Sequence, residues 1–418
     1  MNKSMNNDQN YSQKLFEPLT PLIPNASNVS HASYTSNKSY LPRTWAEVHL
    51  DRIEHNIREI RKRLPVSCSF MAAVKANAYG HGDVQVARAA RNAGADALAV
   101  GTIHEALHLR KNDIMLPILV LSATPPEEAD AAAKHHISLT VFQASCLDKM
   151  LKYKSSPEPL RIHIKMDTGM GRIGIREKAE LEAMIPLLQN DAIIVEGIYT
   201  HFATANQADS AYYEEQRNRF NEMQQWMSDA GFSNLIVHCA NSAAALQYPQ
   251  NTMDMARVGA AIYGIHTCDE DVKRTMPNFL QPTLSLHTEI IHVKQMKPGS
   301  AISYDSTYWT TGDEWIATVP LGYADGCFRG FQGSYLLVDG HEAPITGKIC
   351  MDQLMIRLPR YYPLGTKVTW IGRQRDKEIT LDDLASHIGS IPQQILSLIT
   401  DRVPRVYTYN DESERTLN

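Results

Sequence analysis

The sequence predicts an α/β chain made of an N-terminal (β/α)8 barrel and a C-terminal β-rich domain. Between residues 70 and 263, a short apolar segment, a polar or glycine turn and an amphipathic segment follow one another eight times. That repetition is typical of a (β/α)8 barrel. After about residue 284 the pattern changes to alternating strand-like segments separated by turns. Pattern alone leaves an open doubly wound sheet as the alternative to the barrel.

The predicted elements begin with an alternating segment at residues 44–50, followed by apolar residues at helical spacing up to Leu64. The predicted barrel strands are residues 70–74, 97–101, 116–121, 138–142, 161–166, 194–200, 235–239 and 256–263. The predicted strands of the second domain are residues 284–294, 315–319, 335–338, 353–358 and 367–371. Only one helical stretch, residues 380–388, is predicted to interrupt them.

Three regions follow from these patterns. Residues 1–42 form a polar N-terminal extension, rich in Asn, Ser, Gln, Pro and Thr, without the basic start and apolar stretch of a secretory signal. Residues 43–283 form the barrel, although the first strand could instead be contributed to the β domain. Residues 284–418 form the C-terminal β domain.

Composition narrows the function classes. Of the 418 residues, 43% are hydrophobic, enough for a large core, and the net charge of −5 does not suit nucleic acid or an anionic membrane. The longest apolar runs are far shorter than the roughly 20 residues that span a bilayer. Six scattered cysteines without a C-x-x-C pair indicate reduced thiols in a cytoplasmic protein.

Polar residues cluster where the predicted barrel strands end. These residues are Lys75, Lys165, Asp167, His201, Asn241, Ser242, Arg257 and Gly259. In a barrel all of these strand ends meet at one rim, where active sites form. The sequence therefore predicts an active site at that rim.

The residue types at this rim indicate a cofactor. A partly desolvated lysine such as Lys75 has a lowered pKa and can form a Schiff base. The hydroxyl of Ser242 and the backbone N–H of Gly259 suit a phosphate. A lysine that can form a Schiff base, together with donors that can bind a phosphate, indicates pyridoxal 5′-phosphate. Taken alone, Lys75 would more simply be a solvated loop lysine.

Nine segments occur in an order that identifies a family. They include AVKANAYGHG at 73–82 and KMDTGMGRIG at 165–174. The others are residues 200–203, 240–243, 257–264, 303–308, 322–326, 350–353 and 402–405. On these segments the chain resembles the alanine racemases, pyridoxal-phosphate enzymes of fold type III, over residues 43–410. The resemblance implies a cytoplasmic isomerase that interconverts L- and D-alanine and supplies D-alanine for peptidoglycan.

The resemblance also implies the catalytic residues. Lys75 would carry the cofactor and act as one base, and Tyr304, from the partner subunit of a homodimer, as the second. Arg172 and the backbone N–H of the partner's Met351 would bind the substrate carboxylate, and Tyr323 would line the entrance. Each site would therefore be shared between two subunits.

The remaining implied residues hold the cofactor. They are Tyr79, Ser242 and Gly259 at the phosphate, Arg257 at the pyridine nitrogen, His201 hydrogen bonded to Arg257, Arg172 at the phenolic oxygen, and in addition Asn241 and Tyr263. Lys165 matches a lysine that is often carbamylated in this family, so a carbamate that orients Arg172 is expected there.

Several alternatives are weighed against this interpretation. A non-catalytic pyridoxal-phosphate-binding barrel would lack the β domain and Tyr304, and an amino-acid decarboxylase of this fold type would not carry the 303–308 segment together with Arg257. Asp401 replaces a tyrosine common in the family, so racemisation of serine beside alanine is expected. The H-E-x-x-H match at residues 104–108 lacks a third zinc ligand, and no metal is predicted.

Overall fold

The computed structural model of the protein describes residues 43–275 and 278–409. The predicted N-terminal extension, residues 1–42, lies outside them. The chain divides into two compact units. The first contains Arg52–Ala78 and Asp83–Gln281, and the second contains residues 43–51, 79–82 and 282–409.

The first unit is a nearly closed parallel barrel of eight strands, which confirms the predicted fold class. The strands are β2 (Ser69–Ala73), β3 (Ala97–Val100), β4 (Ile118–Val120), β5 (Ile137–Val141), β6 (Leu160–Lys165), β7 (Ile193–Tyr199), β8 (Ile236–His238) and β9 (Met255–Val258). They pair in the order β8-β7-β6-β5-β4-β3-β2-β9. Between the end strands, the N–H of Asp254 donates to the carbonyl of Val237 (3.0 Å) and that of Arg257 to Ala240 (2.9 Å). The ring of strands therefore nearly closes, unlike an open doubly wound sheet.

Helices precede, connect and follow the barrel strands. They are α1 (Leu50–Arg61), α2 (Asp83–Asn92), α3 (Ile103–Lys111), α4 (Ala129–Lys134), α5 (Ala144–Tyr153), α6 (Lys178–Glu182), α7 (Ile185–Leu188), α8 (Ala211–Asp229), α9 (Ser242–Gln247) and α10 (Glu270–Thr275). In α1 the residues Ile53, Ile57 and Ile60 are fully buried, as their helical spacing predicts. Small side chains such as Ala73 and Ala99 join Tyr199 and Met255 in one apolar cluster. Because these residues come from distant strands, the cluster fills the barrel interior.

The eighth barrel strand is shorter than the sequence predicts. It ends at Val258, and residues Ala260–Tyr263 form a 3-10 helix. Gly259, with φ −114° and ψ −94°, leaves the extended conformation and turns the chain. The predicted strand at 256–263 was therefore wrong in its second half, because buried apolar residues such as Ile262 occur equally in a buried short helix.

The second unit is rich in β-structure. Its strands are β1 (Thr44–His49), β10 (Leu284–Glu289), β11 (His292–Met296), β12 (Ala301–Ile302), β13 (Tyr308–Trp309), β14 (Glu314–Val319), β15 (Tyr335–Val338), β16 (His341–Pro344), β17 (Leu354–Leu358), β18 (Lys367–Gln374), β19 (Lys377–Ile379) and β20 (Arg405–Thr408). The largest sheet has the order β16-β15-β18-β10-β1-β20, with β19 beside β18. β1 pairs antiparallel with β10 and parallel with β20, so the first described strand of the chain belongs to this sheet.

Two predictions for this unit are wrong. Residues 284–294, predicted as one strand, contain two strands that lie in different sheets, β10 and β11. Two helices, α11 (Leu381–His387) and α12 (Pro392–Leu398), lie between β19 and β20, where a single helical stretch was expected. The second begins with a proline at its first position and buries only Ile395 and Leu396. A helix of seven residues is too short for its period to be distinguished in the sequence from that of another buried segment. Within the described residues, no helix combines the length and apolar character needed to cross a membrane.

Candidate active site

Lys75 lies just beyond β2, at the start of a left-handed turn. The four residues Ala76 to Tyr79 have φ between 51° and 54°. Non-glycine residues adopt this conformation only at a cost in free energy, and such strain clusters at functional sites. Gly80 follows with φ +81°, and a Cβ atom there would lie 2.4 Å from the carbonyl oxygen of Leu396. A larger residue cannot replace Gly80 without moving the backbone.

The charge of Lys75 depends on its surroundings. The side chain is half-buried, and this burial lowers its pKa below the ordinary value. The positive charges of Arg172 and Arg257 lower the pKa further, whereas Glu105 opposes them. Lowering the pKa raises the neutral fraction of the amine at a given pH, and the neutral amine is the nucleophile and base.

Glu105, the acidic residue of the H-E-x-x-H motif, supports the backbone beside Lys75. Its carboxylate accepts hydrogen bonds from the N–H groups of Ala76 (2.6 Å), Gly101 (2.6 Å) and Thr102 (3.0 Å). His104 and His108 are exposed. The acidic residue of the motif therefore joins the ends of β2 and β3, a role that sequence reasoning missed.

The end of β6 carries a buried lysine. Lys165 is 3% exposed, and its Nζ donates to the carbonyl of Met166 at 3.2 Å. Burial lowers its pKa well below the ordinary value, and Arg257 and Arg172 lower it further. Nζ also lies 4.8 Å from the ring centroid of Tyr199. Burial and the charges of Arg257 and Arg172 therefore both favour the neutral form of the Lys165 amine.

The loop after β6 is organised by Asp167. One oxygen of this carboxylate accepts the N–H groups of Gly169 and Gly171, both at 3.0 Å, and the other pairs with Arg176 at 3.0 Å. Burial alone would raise the pKa of Asp167, but these donors outweigh it and lower the pKa. Asp167 thereby shapes the loop that carries Arg172, whose own side chain is exposed.

Arg257, on β9, is buried and makes several contacts. Its Nη1 donates to Nδ1 of His238 at 3.0 Å, and Nη2 donates to the carbonyl oxygen of Thr200 at 2.7 Å. The implied partner His201 lies 3.4 Å from Nη2. His238 is thus the nearer imidazole, and sequence reasoning did not single it out. The inward alternation of polar residues along β6 is the signal that could have drawn attention to the barrel interior.

Two backbone N–H groups converge on the hydroxyl of Ser242. Oγ accepts the N–H of Gly259 at 2.9 Å and that of Ala261 at 3.4 Å. Asn241 caps the following helix by accepting the N–H of Ala244 at 3.0 Å. The Tyr263 hydroxyl donates to the carbonyl of Ala73 at 2.9 Å, which ties this turn to the end of β2. Hydroxyl and backbone N–H donors gathered this closely form a donor set that fits a phosphate.

Tyr79 completes the left-handed turn that follows Lys75 and groups with the second unit. Burial raises its pKa to about 12, so its hydroxyl stays protonated at neutral pH. A protonated phenol donates a hydrogen bond, as a phosphate ligand requires.

The remaining predicted residues come together in the second unit. Tyr304 lies in a turn in which Ser303, Asp305 and Ser306 have φ between 47° and 66°, and its side chain is 63% exposed. Ser303 Oγ donates to the carbonyl of Lys348 at 2.6 Å, which anchors this turn beside the loop of Met351. In that loop the carbonyl oxygen of Cys350 accepts the N–H of Tyr323 at 3.0 Å.

Met351 and Tyr323 therefore lie on adjacent loops near the Tyr304 turn. Both side chains are exposed. Asp401 is exposed as well, and its charge acts on Arg405.

Comparison with known proteins follows the same two-part division. The family model "Alanine racemase, N-terminal domain" matches residues 48–267, and "Alanine racemase, C-terminal domain" matches residues 283–407. The chain is 47% identical over 365 residues to the alanine racemase of Geobacillus stearothermophilus, covering 87% of this chain and 93% of that protein.

Solved structures of racemases are also similar to this chain. The alanine racemase of Bacillus anthracis, with bound L-Ala-P, is 44% identical with a TM-score of 0.87, covering 89% of this chain and 97% of that one. A histidine racemase from Leuconostoc mesenteroides is 30% identical with a TM-score of 0.81, covering 88% of this chain and 98% of that one.

Proposed function

The chain belongs to the alanine racemase family and interconverts L- and D-alanine, and on this basis we propose that it uses pyridoxal 5′-phosphate and two bases, Lys75 and Tyr304. The observation that carries the proposal is a half-buried amine of lowered pKa at the barrel rim that also holds the Ser242 donor set. Pyridoxal phosphate carries an aldehyde, which suits the amine, and a phosphate, which suits the donor set.

The proposed cofactor residues divide by chemistry. The hydroxyls of Ser242 and Tyr79 and the N–H of Gly259 would hold the phosphate, with Asn241 and Tyr263 supporting that turn. Arg257, kept in orientation by His238 and His201, would face the pyridine nitrogen. When bound, pyridoxal phosphate supplies a conjugated ring that withdraws electrons from Cα of the amino acid.

Racemisation requires a proton to leave one face of Cα and another to arrive on the opposite face. The neutral amine of Lys75 would accept or return a proton on one side, and the hydroxyl of Tyr304 would do so on the other. Arg172 and the backbone N–H of Met351 would hold the substrate carboxylate, and Tyr323 would line the entrance. Two bases allow both directions of reaction without rotating the substrate in the site.

The proposed assembly is a homodimer with shared sites. Tyr304 and Met351 are 63% and 54% exposed, a large exposure for side chains expected to touch a substrate. Two such chains would complete each other's sites through one symmetric interface. We further propose that the enzyme acts in the cytoplasm and supplies D-alanine for peptidoglycan. All six cysteines are free thiols, in keeping with a reducing compartment.

The function is tested by incubating the purified enzyme with L-alanine in D2O. The proposal expects D-alanine with deuterium at Cα and no release of CO2. A non-catalytic cofactor-binding protein would give neither product, and a decarboxylase would release CO2. D-Alanine that keeps its original Cα proton in D2O would contradict two bases whose protons exchange with the solvent.

Arg257→Glu is expected to lower racemisation by about 10²-fold or more and to raise conversion of the cofactor to its pyridoxamine form. A permanent cation at the ring nitrogen disfavours protonation of that nitrogen, whereas a carboxylate favours it. A protonated ring withdraws electrons more strongly and permits transamination. The pyridoxamine form is measured by chromatography of the cofactor released after turnover.

The matched control is Arg217→Glu, a charge reversal on α8 where the arginine pairs with Glu214. It should keep the wild-type rate and form no pyridoxamine. Absence of pyridoxamine from a folded Arg257→Glu enzyme would show that the electronic argument is wrong.

Lys165 is proposed to carry a carbamate. Its neutral amine would attack CO2 and release a proton, which turns the residue into an anion between Arg257 and Arg172. In ¹³C-bicarbonate, the wild-type enzyme is expected to show a carbamate carbon signal that is absent from Lys165→Ala. Lys178→Ala, in which an exposed lysine is removed, should keep the signal. A wild-type spectrum without it would contradict the carbamate.

A further inference from the structure

A line of polar side chains runs from Arg257 into the barrel interior. Arg257 Nη1 contacts His238 Nδ1 at 3.0 Å, and His238 Nε2 contacts His163 Nδ1 at 2.9 Å. His163 Nε2 then faces Glu196 Oε2 at 3.6 Å, slightly beyond hydrogen-bond length. Both histidines are buried, and the Glu196 side chain is 11% exposed. We call Arg257, His238, His163 and Glu196 the interior relay.

Donor and acceptor chemistry determines the proton positions in the interior relay. An arginine can only donate, so His238 Nδ1 must accept and its proton must sit on Nε2. That Nε2–H then donates to His163 Nδ1, which places the proton of His163 on Nε2, facing Glu196. Burial and the charge of Arg257 lower the pKa of His238 well below its ordinary value, so this ring is neutral. Each group of the interior relay therefore points its proton to the next, and the last N–H, on His163, faces the carboxylate of Glu196.

A β-bulge turns Glu196 toward the relay. Along the β6–β7 ladder, Ile162 pairs with Val195 and His163 with Gly197, so Glu196 has no opposite residue. An extra residue of this kind changes the direction of its side chain. In an unbroken ladder neighbouring side chains would alternate between the two faces of the sheet.

Gly197 provides the space that His163 occupies. A Cβ atom at Gly197 would lie 2.4 Å from the carbonyl oxygen of Ile236, 2.7 Å from His163 Nδ1 and 2.9 Å from His163 Cε1. Real Cβ atoms do not approach so closely, so any other residue would displace both the imidazole and the backbone of β8. The neighbouring residues Glu196 and Gly197 thus build the relay together, one supplying the charge and the other the space.

The carboxylate of Glu196 is itself held firmly. Ser138 Oγ donates to Oε2 at 2.5 Å, and Arg161 Nη1 pairs with Oε1 at 2.6 Å. Burial would raise the pKa of Glu196, but the His163, Ser138 and Arg161 contacts lower it to about 2. Glu196 is therefore an ionised, oriented anion at the far end of the relay.

We propose that Glu196 is a positioning residue for racemisation: as the anion at the end of the interior relay, it stabilises the Nε2–H tautomers of His163 and His238 and so holds the guanidinium of Arg257 in its working orientation. This inference rests on the proposed role of Arg257 at the cofactor ring. None of the relay contacts uses the Nε–H of Arg257, which stays available for a ligand. If His238 rotated, or carried its proton on Nδ1, one of its N–H groups would face the N–H group of Arg257. Two donors cannot form a hydrogen bond, so the guanidinium of Arg257 would turn away.

The kinetic test compares Glu196→Gln with Asp96→Asn. Asp96 is a barrel carboxylate that also pairs with an arginine (Arg61, 2.6 Å) and accepts a backbone N–H, but it lies outside the relay. Glu196→Gln should lower kcat by about 10- to 100-fold and leave KM within about threefold, because misorientation affects the reaction more than substrate binding. Asp96→Asn should retain kcat within about twofold.

A second measurement uses the cofactor-free protein. In ¹⁵N-histidine-labelled apoenzyme, His163 and His238, assigned by His163→Phe and His238→Asn, should both carry the proton on Nε2. Glu196→Gln should shift part of the His163 population to the Nδ1–H tautomer, and Asp96→Asn should not. This readout tests the relay even if pyridoxal phosphate or the role of Arg257 were wrongly assigned.

The double variant His163→Phe/Glu196→Gln should lose no more kcat than His163→Phe alone, since both changes break the same relay. A folded Glu196→Gln enzyme with wild-type kcat, with unchanged tautomers, or with effects additive to those of His163→Phe would overturn the inference. Wild-type enzyme that forms no D-alanine would instead refute the activity itself.

Discussion

Lys75→Ala is expected to lose at least about 10⁴-fold in kcat for racemisation of alanine, the largest effect of any single change in the barrel. In the proposed mechanism the substitution removes both the amine that would bind the cofactor aldehyde and one of the two bases, and each role alone contributes about 10²- to 10⁴-fold. Racemisation is measured by following D-alanine with D-amino-acid oxidase. The absorbance of the bound cofactor should also change to that of a free aldehyde.

The control for Lys75→Ala is Lys62→Ala, which removes a lysine that is 70% exposed and pairs with Glu59 on α1. It should retain full activity and the wild-type spectrum. A methylamine supplement should partly restore Lys75→Ala, because a small amine can enter the space left by the side chain. Wild-type activity in Lys75→Ala would remove the proposed mechanism entirely.

Tyr304→Phe is expected to lower kcat by about 10²- to 10⁴-fold, because it would remove the proposed second proton donor and acceptor but keep the ring. Tyr361→Phe is the matched control, since Tyr361 is also an exposed tyrosine of the second unit and packs on Trp315. The rate in both directions and the rate of Cα proton exchange in D2O should be measured. The enantiomer whose Cα proton no longer exchanges with D2O would indicate which face of Cα Tyr304 serves.

Mixing the two inactive variants tests the shared site. If Tyr304 completes the partner's site, half of the dimers in an equal mixture of Lys75→Ala and Tyr304→Phe chains are mixed. Each mixed dimer contains one intact site of two, so activity should return to about one quarter of the wild-type value. Subunit exchange is verified by native mass spectrometry. Exchange without any return of activity would show that each chain holds both of its own bases.

Much of the barrel could be predicted from the sequence, because each strand and the helix after it are local in the chain. The predicted ends of β2 and β6 agree with the structure within one or two residues. The positions of Lys75, just beyond β2, and of Lys165, at the end of β6, were therefore predicted as well. The second half of the eighth strand was not, because an apolar run such as residues 260–263 does not distinguish a strand from a short buried helix. The helix at Pro392–Leu398 was missed because its seven residues are too few to establish a helical period.

The supporting contacts of the site could not be predicted in this way. Glu105 accepts the N–H of Ala76 from 29 residues away, and His163 meets His238 across 75 residues. Such pairs depend on which strands are neighbours and on the register between them. The bulge at Glu196 changes that register by one residue, and no local pattern marks it.

The sequence by itself determined the family, the alternation of strands and helices, and the rim residues such as Lys75 and Arg257, because these depend on local periodicity and contiguous motifs. Only the tertiary structure decided which imidazole orients Arg257, what stabilises the strained turn after Lys75, and that Glu196 faces into the barrel. The physical reason is that hydrogen bonds between distant strands require a specific register and direction of side chains. Both of these arise only when the barrel has closed.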